Sequence, residues 1–130
     1  MTDVIASRKN PLVRRIRKLD SDAGFRRQEG QFLLWGAKSV EEAMADPSRV
    51  GHLVIGEKVS RQSSLRSLVR SARQLGVPIA ILSDPLLEEL VPGSSDQGLL
   101  ALAHSRVLPL AALLRGDRAP LLLVADRIPD

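Results

Sequence analysis

Most of the side chains here that could do chemistry are cations, and they are unevenly placed. Residues 1–38 carry Arg8, Lys9, Arg14, Arg15, Arg17, Lys18, Arg26, Arg27 and Lys38 against Asp3, Asp20, Asp22 and Glu29. Nine bases against four acids leave +5, more than the net +4 of the whole chain. Arg61, Arg66, Arg70 and Arg73 form a second block with no acid between them. Residues 77–105 are the reverse, with Asp84, Glu88, Glu89 and Asp96 and no Lys or Arg. A molecule with one positive side attracts polyanions, because cations release counterions from phosphates and steer them over long range. RNA or DNA is the partner this layout points to.

Covalent chemistry is poorly supplied. With no cysteine among 130 residues, disulfides, thiolate metal sites and cysteine nucleophiles are excluded. A reducing, cytoplasmic setting is the natural expectation. The only histidines, His52 and His104, each stand alone in or at the end of a strand, without the second group that a triad or a metal site needs. The pairs Glu41-Glu42 and Glu88-Glu89 are adjacent on helices, so each pair splits around its axis and reads as a solvated face. No P-loop and no Gly-x-Gly-x-x-Gly occurs. Gly36-Ala37-Lys38 is the most informative turn. It lies between a strand and a helix N-terminus, where backbone amides attract anions, glycine permits close approach and Lys38 adds charge. Trp35 could stack on a base, but core packing is the commoner use. With aromatics at 2% there is no platform for single strands. Recognition must therefore rest on phosphate, ribose and shape.

The elements that would position these residues are clearly punctuated. Asn10-Pro11 opens a first helix as N-cap and first-turn proline, with Leu12, Ile16 and Leu19 as its buried stripe. A short second helix over 22–29 carries Arg26 and Arg27 and stops at Gly30. Residues 31–35 read as a buried strand, 36–45 as a helix ended by Asp46-Pro47, and 50–55 as a strand. Residues 61–75 place Leu65, Leu68, Val69, Ala72 and Leu75 at helical spacing, with Arg66, Arg70 and Arg73 on the other face. A strand over 77–82, a helix opened by Asp84-Pro85 and ended by Pro92-Gly93, a polar loop over 94–97 and a strand over 98–103 follow. Such alternation predicts an α/β fold, a mostly parallel central sheet covered by helices on both faces. Hydrophobic residues at 44% suffice for one core.

Residues 106–119, with Pro109, Gly116 and Ala119-Pro120 around a short helix candidate at 110–114, read as a linker. Residues 121–125 read as one more buried strand, expected to open a second domain of a larger protein cut just inside it. No secretory leader is expected from an acid-bearing start followed by a basic segment. No run approaches the roughly 20 apolar residues of a membrane span.

Several segments together resemble the SpoU (TrmH-like) family of RNA 2'-O-ribose methyltransferases. They are Ile5-Ala6-Ser7-Arg8-Lys9-Asn10-Pro11-Leu12-Val13 with Ile16-Arg17-Lys18-Leu19; Arg26-Arg27; Gln31-Phe32-Leu33-Leu34-Trp35-Gly36-Ala37-Lys38-Ser39-Val40-Glu41-Glu42-Ala43; Gln97-Gly98-Leu99-Leu100-Ala101; and the Asp-x-x-x-Asp stretch at 126–130. The resemblance implies an RNA substrate-binding domain at 1–105, similar in fold to ribosomal and kink-turn-binding proteins (a three-layer α/β/α sandwich), a linker at 106–119 and the start of a SPOUT-type methyltransferase domain at 120–130. It implies RNA contact at Asn10, Arg26, Arg27, Gly36, Lys38 and Gln97, to which Arg8 and Lys9 are added on charge. It places no catalytic residue, metal or cofactor in this chain. S-adenosylmethionine and the catalytic residues would belong to the intact protein, a homodimer acting on ribosomal RNA ahead of transfer RNA. Trp35 stands where the family usually has Glu, so that glutamate's contact does not carry over. The alternative is a non-enzymatic RNA-binding module of the ribosomal or kink-turn type with the same fold.

Overall fold

The computed structural model describes residues 3–92 and 98–127. Its elements are β1 (Val4–Ile5), α1 (Pro11–Ser21), α2 (Ala23–Glu29), β2 (Gln31–Trp35), α3 (Ala37–Ala43), β3 (Val50–Gly56), α4 (Glu57–Ser60), α5 (Arg66–Gln74), β4 (Ile79–Leu82), α6 (Asp84–Leu90), β5 (Leu99–His104) and α7 (Leu110–Leu113). The strands form one sheet in the order β1-β4-β3-β5-β2. β1, β4 and β3 pair in parallel, while β5 runs antiparallel to both β3 and β2. Four strands therefore point one way and β5 is inserted against them.

The sheet is the middle of three layers, and within the central strands alternate residues face opposite sides, apart from Val50, which lies before a register shift in β3. Leu53, Ile55, Leu99 and Ala101 pack with Val40 of α3 and with Leu68 and Ala72 of α5. Val54, Ala80, Leu82, Leu100 and Leu102 pack on the other face with Val13, Ile16 and Leu19 of α1 and Leu86, Leu87 and Leu90 of α6. Central strands whose two faces are both covered read as continuous apolar runs rather than alternating ones. Leu-Leu-Ala-Leu-Ala in β5 is such a run, and all five residues are buried. The expected α/β/α sandwich is thus the observed architecture.

Local chemistry explains the helix starts. The Asn10 side chain accepts a hydrogen bond from the Leu12 amide at 2.9 Å, with Pro11 at the first helical position. Asp22 caps α2 through the Phe25 amide at 2.9 Å, and Gly30 ends it in the left-handed region. Gly36 has φ 84° and ψ 157°, a region essentially closed to residues with a Cβ. It is what lets the chain leave β2 and enter α3 at once.

Three expectations need correction, and one strand, β1, was not anticipated. The helix expected over 61–75 starts later, with a single 3-10 turn at Ser63–Leu65 before α5. The strand expected from residue 77 starts at Ile79, because Pro78 has no amide to give the ladder; its carbonyl instead accepts from the Leu53 amide. β1 is two residues long, too short to show any periodicity in sequence. Residues 121–125 form no strand: Leu121 and Leu123 are 100% and 96% exposed, since a strand needs a neighbouring edge and this segment pairs with none among the described residues. The helix within the expected linker is present as α7. No helix among the described residues is long and apolar enough to cross a membrane. The polar loop expected at 94–97 lies outside the described residues.

Candidate nucleic-acid interface

β2 forms one edge of the sheet, and three grooves run along it, each lined in part by Phe32. The largest, about 610 Å³, is bounded by Arg26, Arg27, Gly30, Gln31, Ser105 and Val107 and has no acid in its wall. A second, about 480 Å³, runs from Leu19 and Asp20 past Arg26 to Trp35. The third, about 380 Å³, lies towards α3 and includes Arg49, Glu42 and Asp46. Asp46 is held below the usual carboxylate range, chiefly by the Ser48 hydroxyl that donates to it at 2.6 Å and also by Arg106 and Arg49.

The expected contact residues fall into three places. Arg26 and Arg27 stand at the start of β2. Gly36 and Lys38 stand at its far end, roughly 15 Å away for a five-residue strand. Arg8, Lys9 and Asn10 leave the end of β1 on the opposite edge, about 19 Å across a five-stranded sheet. Gln97 lies outside the described residues. The Gly36 amide donates to the Leu99 carbonyl at 3.0 Å. The Gly36 amide is therefore engaged in the sheet rather than free for an anion.

Several of these cations already have intramolecular work. Arg26 donates through Nη1 to the carbonyls of Leu19 and Asp20 at 2.8 and 3.0 Å, closing the C-terminal end of α1. Arg8 and Arg17 both pair with Glu89 of α6, at 2.6 and 2.8 Å. Arg15 reaches Glu29 at 2.9 Å and donates to Gln31 at 2.7 Å. Lys18 stands 4.4 Å above the Phe25 ring. Lys9, Arg14, Arg27 and Lys38 are exposed and have no partner among the described residues. Trp35 is half-buried against the α1–α6 face, so core packing is its main use, with one side open to the groove.

Sequence reasoning missed Phe32, Gln31 and Glu89. Phe32 sits in a run that reads as plain core, and only its edge-strand position brings it into the grooves. Glu89 lies 72 and 81 residues from its partners, and no local pattern signals such a contact. Neither histidine gathers a catalytic group. Burial first, and then the Arg15 charge, lower the His52 pKa and favour its neutral form. His104 sits 3.4 Å from the Gln31 amide. Among the described residues no group of three or more His, Cys, Asp or Glu could hold a metal ion.

The described residues thus form a three-layer α/β domain with an acid-free, arginine-lined groove on one sheet edge. Residues 10–101 match the family model of the MRM3-like substrate-binding domain, and the chain belongs to that family. Among solved structures it is similar to the AdoMet-bound rRNA methyltransferase from Sinorhizobium meliloti (TM-score 0.66, 19% identity, covering 85% of this chain and 40% of that one). It is also similar to the SpoU methyltransferase AviRb from Streptomyces viridochromogenes in complex with AdoMet (TM-score 0.59, 16% identity, 80% and 36% covered). A structure described as an RNA 2'-O ribose methyltransferase gives TM-score 0.58 at 18% identity, with 83% and 40% covered. At such identities the likeness is one of fold. The chain spans about two fifths of the length of these proteins. No curated protein matches it.

Proposed function

We propose that this chain is the RNA-recognition domain of a ribosomal RNA methyltransferase that modifies a ribose 2'-hydroxyl. Membership of a substrate-binding domain family carries the reading, because that family assigns to residues 10–101 the task of holding the substrate. The charge layout supports it: the Arg26–Arg27 groove has cations and no acid, which suits phosphate oxygens. The same chemistry fits S-adenosylmethionine poorly, since a sulfonium cation would be repelled there. The methyl donor would be held by a second domain that begins near residue 120, after a linker at 106–119, in a cytoplasmic homodimer. Arg8, Lys9, Asn10, Arg26, Arg27, Gly36, Lys38 and Gln97 would contact RNA. Phosphate contacts of this kind fix register and orientation, and so position the target nucleotide.

The test is binding of this chain to a panel of folded ribosomal and transfer RNA fragments at two salt concentrations, beside Arg26→Ala/Arg27→Ala/Lys38→Ala. The expected result is tight, salt-dependent binding to one ribosomal fragment. The variant should flatten the salt slope by roughly 2–3, since each lost phosphate contact removes about 0.7–0.9. Arg27→Ala/Lys38→Ala, which leaves the Arg26 clamp on α1 intact, should show most of the same loss. Equal binding to every RNA, unchanged by either variant, would sink the proposal.

A further inference from the structure

The outer face of α5 carries Arg66, Arg70 and Arg73 at i, i+4 and i+7, side by side along about 10 Å of helix. All three are exposed, and among the described residues none of their side chains makes an ion pair or hydrogen bond. They line a groove of about 330 Å³ together with Ser60, Val69 and Gln74. Glu57, the nearest acid before them in sequence, is already taken by Arg61 at 2.7 Å, and no other acid occurs until Asp84.

Nothing internal favours this arrangement. Like charges at i,i+4 repel along a helix. Arg66 is the first residue of α5, where the helix dipole disfavours a cation. A purely solvated face would do better with acids interspersed among the bases. Arginine is also the side chain whose planar fork matches phosphate. We infer that α5 is a second RNA-phosphate surface, which binds a different segment of the RNA from the one held at α1, α2 and β2. This rests on the reading of the chain as an RNA-recognition domain.

The placement says what kind of RNA this requires. α5 packs on the opposite face of the sheet from α1, so the two helix layers are roughly 20 Å apart with the sheet between them. One short straight strand cannot lie on both. The substrate is therefore a folded RNA with two arms, such as a junction or a bent hairpin, that straddles the domain.

Arg66→Gln/Arg70→Gln/Arg73→Gln and Arg70→Gln alone test this, with helix content checked by circular dichroism; Gln keeps the helix propensity of Arg. The probe is the ribosomal RNA fragment that the unmodified chain binds best. The triple variant should lower the salt slope by roughly 2–3 and the single variant by about 0.7–0.9. Hydroxyl-radical footprinting should show two protected RNA segments, one lost in the α5 triple variant and the other in Arg14→Gln/Arg27→Gln. If the chain binds RNA and only the Arg14/Arg27 variant weakens it, α5 serves another partner and the inference falls while the RNA-recognition reading stands. If the unmodified chain binds no RNA, both fall.

Discussion

The α1 and α5 helices are built alike and charged differently. Each buries an apolar stripe against the sheet, Val13, Ile16 and Leu19 in one case and Leu68 and Ala72 in the other. Each turns arginines outward. On α1, Arg15 and Arg17 are tied to Glu29 and Glu89, and the second of these acids also holds Arg8. On α5 the three arginines face solvent without partners among the described residues. The comparison teaches that counting bases overstates one face and understates the other. The region with the larger sequence charge is partly neutralised by acids from α2 and α6, whereas in the smaller block only Arg61 is paired, with Glu57, and Arg66, Arg70 and Arg73 keep their charge.

The largest effect should come from the stripes themselves. Ile16→Ala and Leu68→Ala remove side chains from the two cores on opposite faces of the sheet, and each should cost about 2–5 kcal/mol in urea unfolding. Similar losses would confirm that the helices are equal structurally and differ only in outward charge. A loss at Leu68 far below that at Ile16 would break the comparison and make α5 a loosely held arm.

Asn10 should give an intermediate effect and separate two roles. Its Oδ1 caps α1, while its Nδ2 has no partner among the described residues. Asn10→Ala should destabilise by about 1 kcal/mol. Asn10→Asp keeps the cap oxygen, so unfolding should shift little, yet it replaces a donor by a negative charge and should weaken RNA binding severalfold. Unchanged RNA affinity in Asn10→Asp would reduce Asn10 to a cap.

The smallest effect on stability tests the neutralisation directly. Glu89→Gln releases Arg8 and Arg17. Exposed pairs contribute about 0–1 kcal/mol, so the unfolding midpoint should barely move. RNA binding should tighten severalfold and become steeper in salt, making α1 resemble α5. No gain in affinity would mean that Arg8 and Arg17 stand away from the RNA.

Much of this was legible from residue order. Asn10-Pro11, Gly30 and Gly36 punctuate the chain where the elements begin and end, because caps, φ-locked prolines and positive-φ glycines act within a few residues. The candidate site was legible only as residue types. Arg26 and Lys38 were singled out together, yet a strand's length separates them, and Arg26 turned out to clamp α1. Residues 121–125 have the composition of a buried strand, but composition supplies no edge to pair with.

By itself, then, the sequence determined the amphipathic stripes, the helix starts at Pro11 and Asp84, the sandwich class and the excess of arginine, all of which depend on spacing within a turn or two of chain. Only the tertiary structure decided that β5 enters antiparallel between β3 and β2, that the two arginine helices lie on opposite faces, and that Glu89 meets Arg8 and Arg17. Those outcomes depend on which distant segments the sheet brings side by side. Coulomb attraction acts across space rather than along the chain, so the effective charge of each face was fixed by packing.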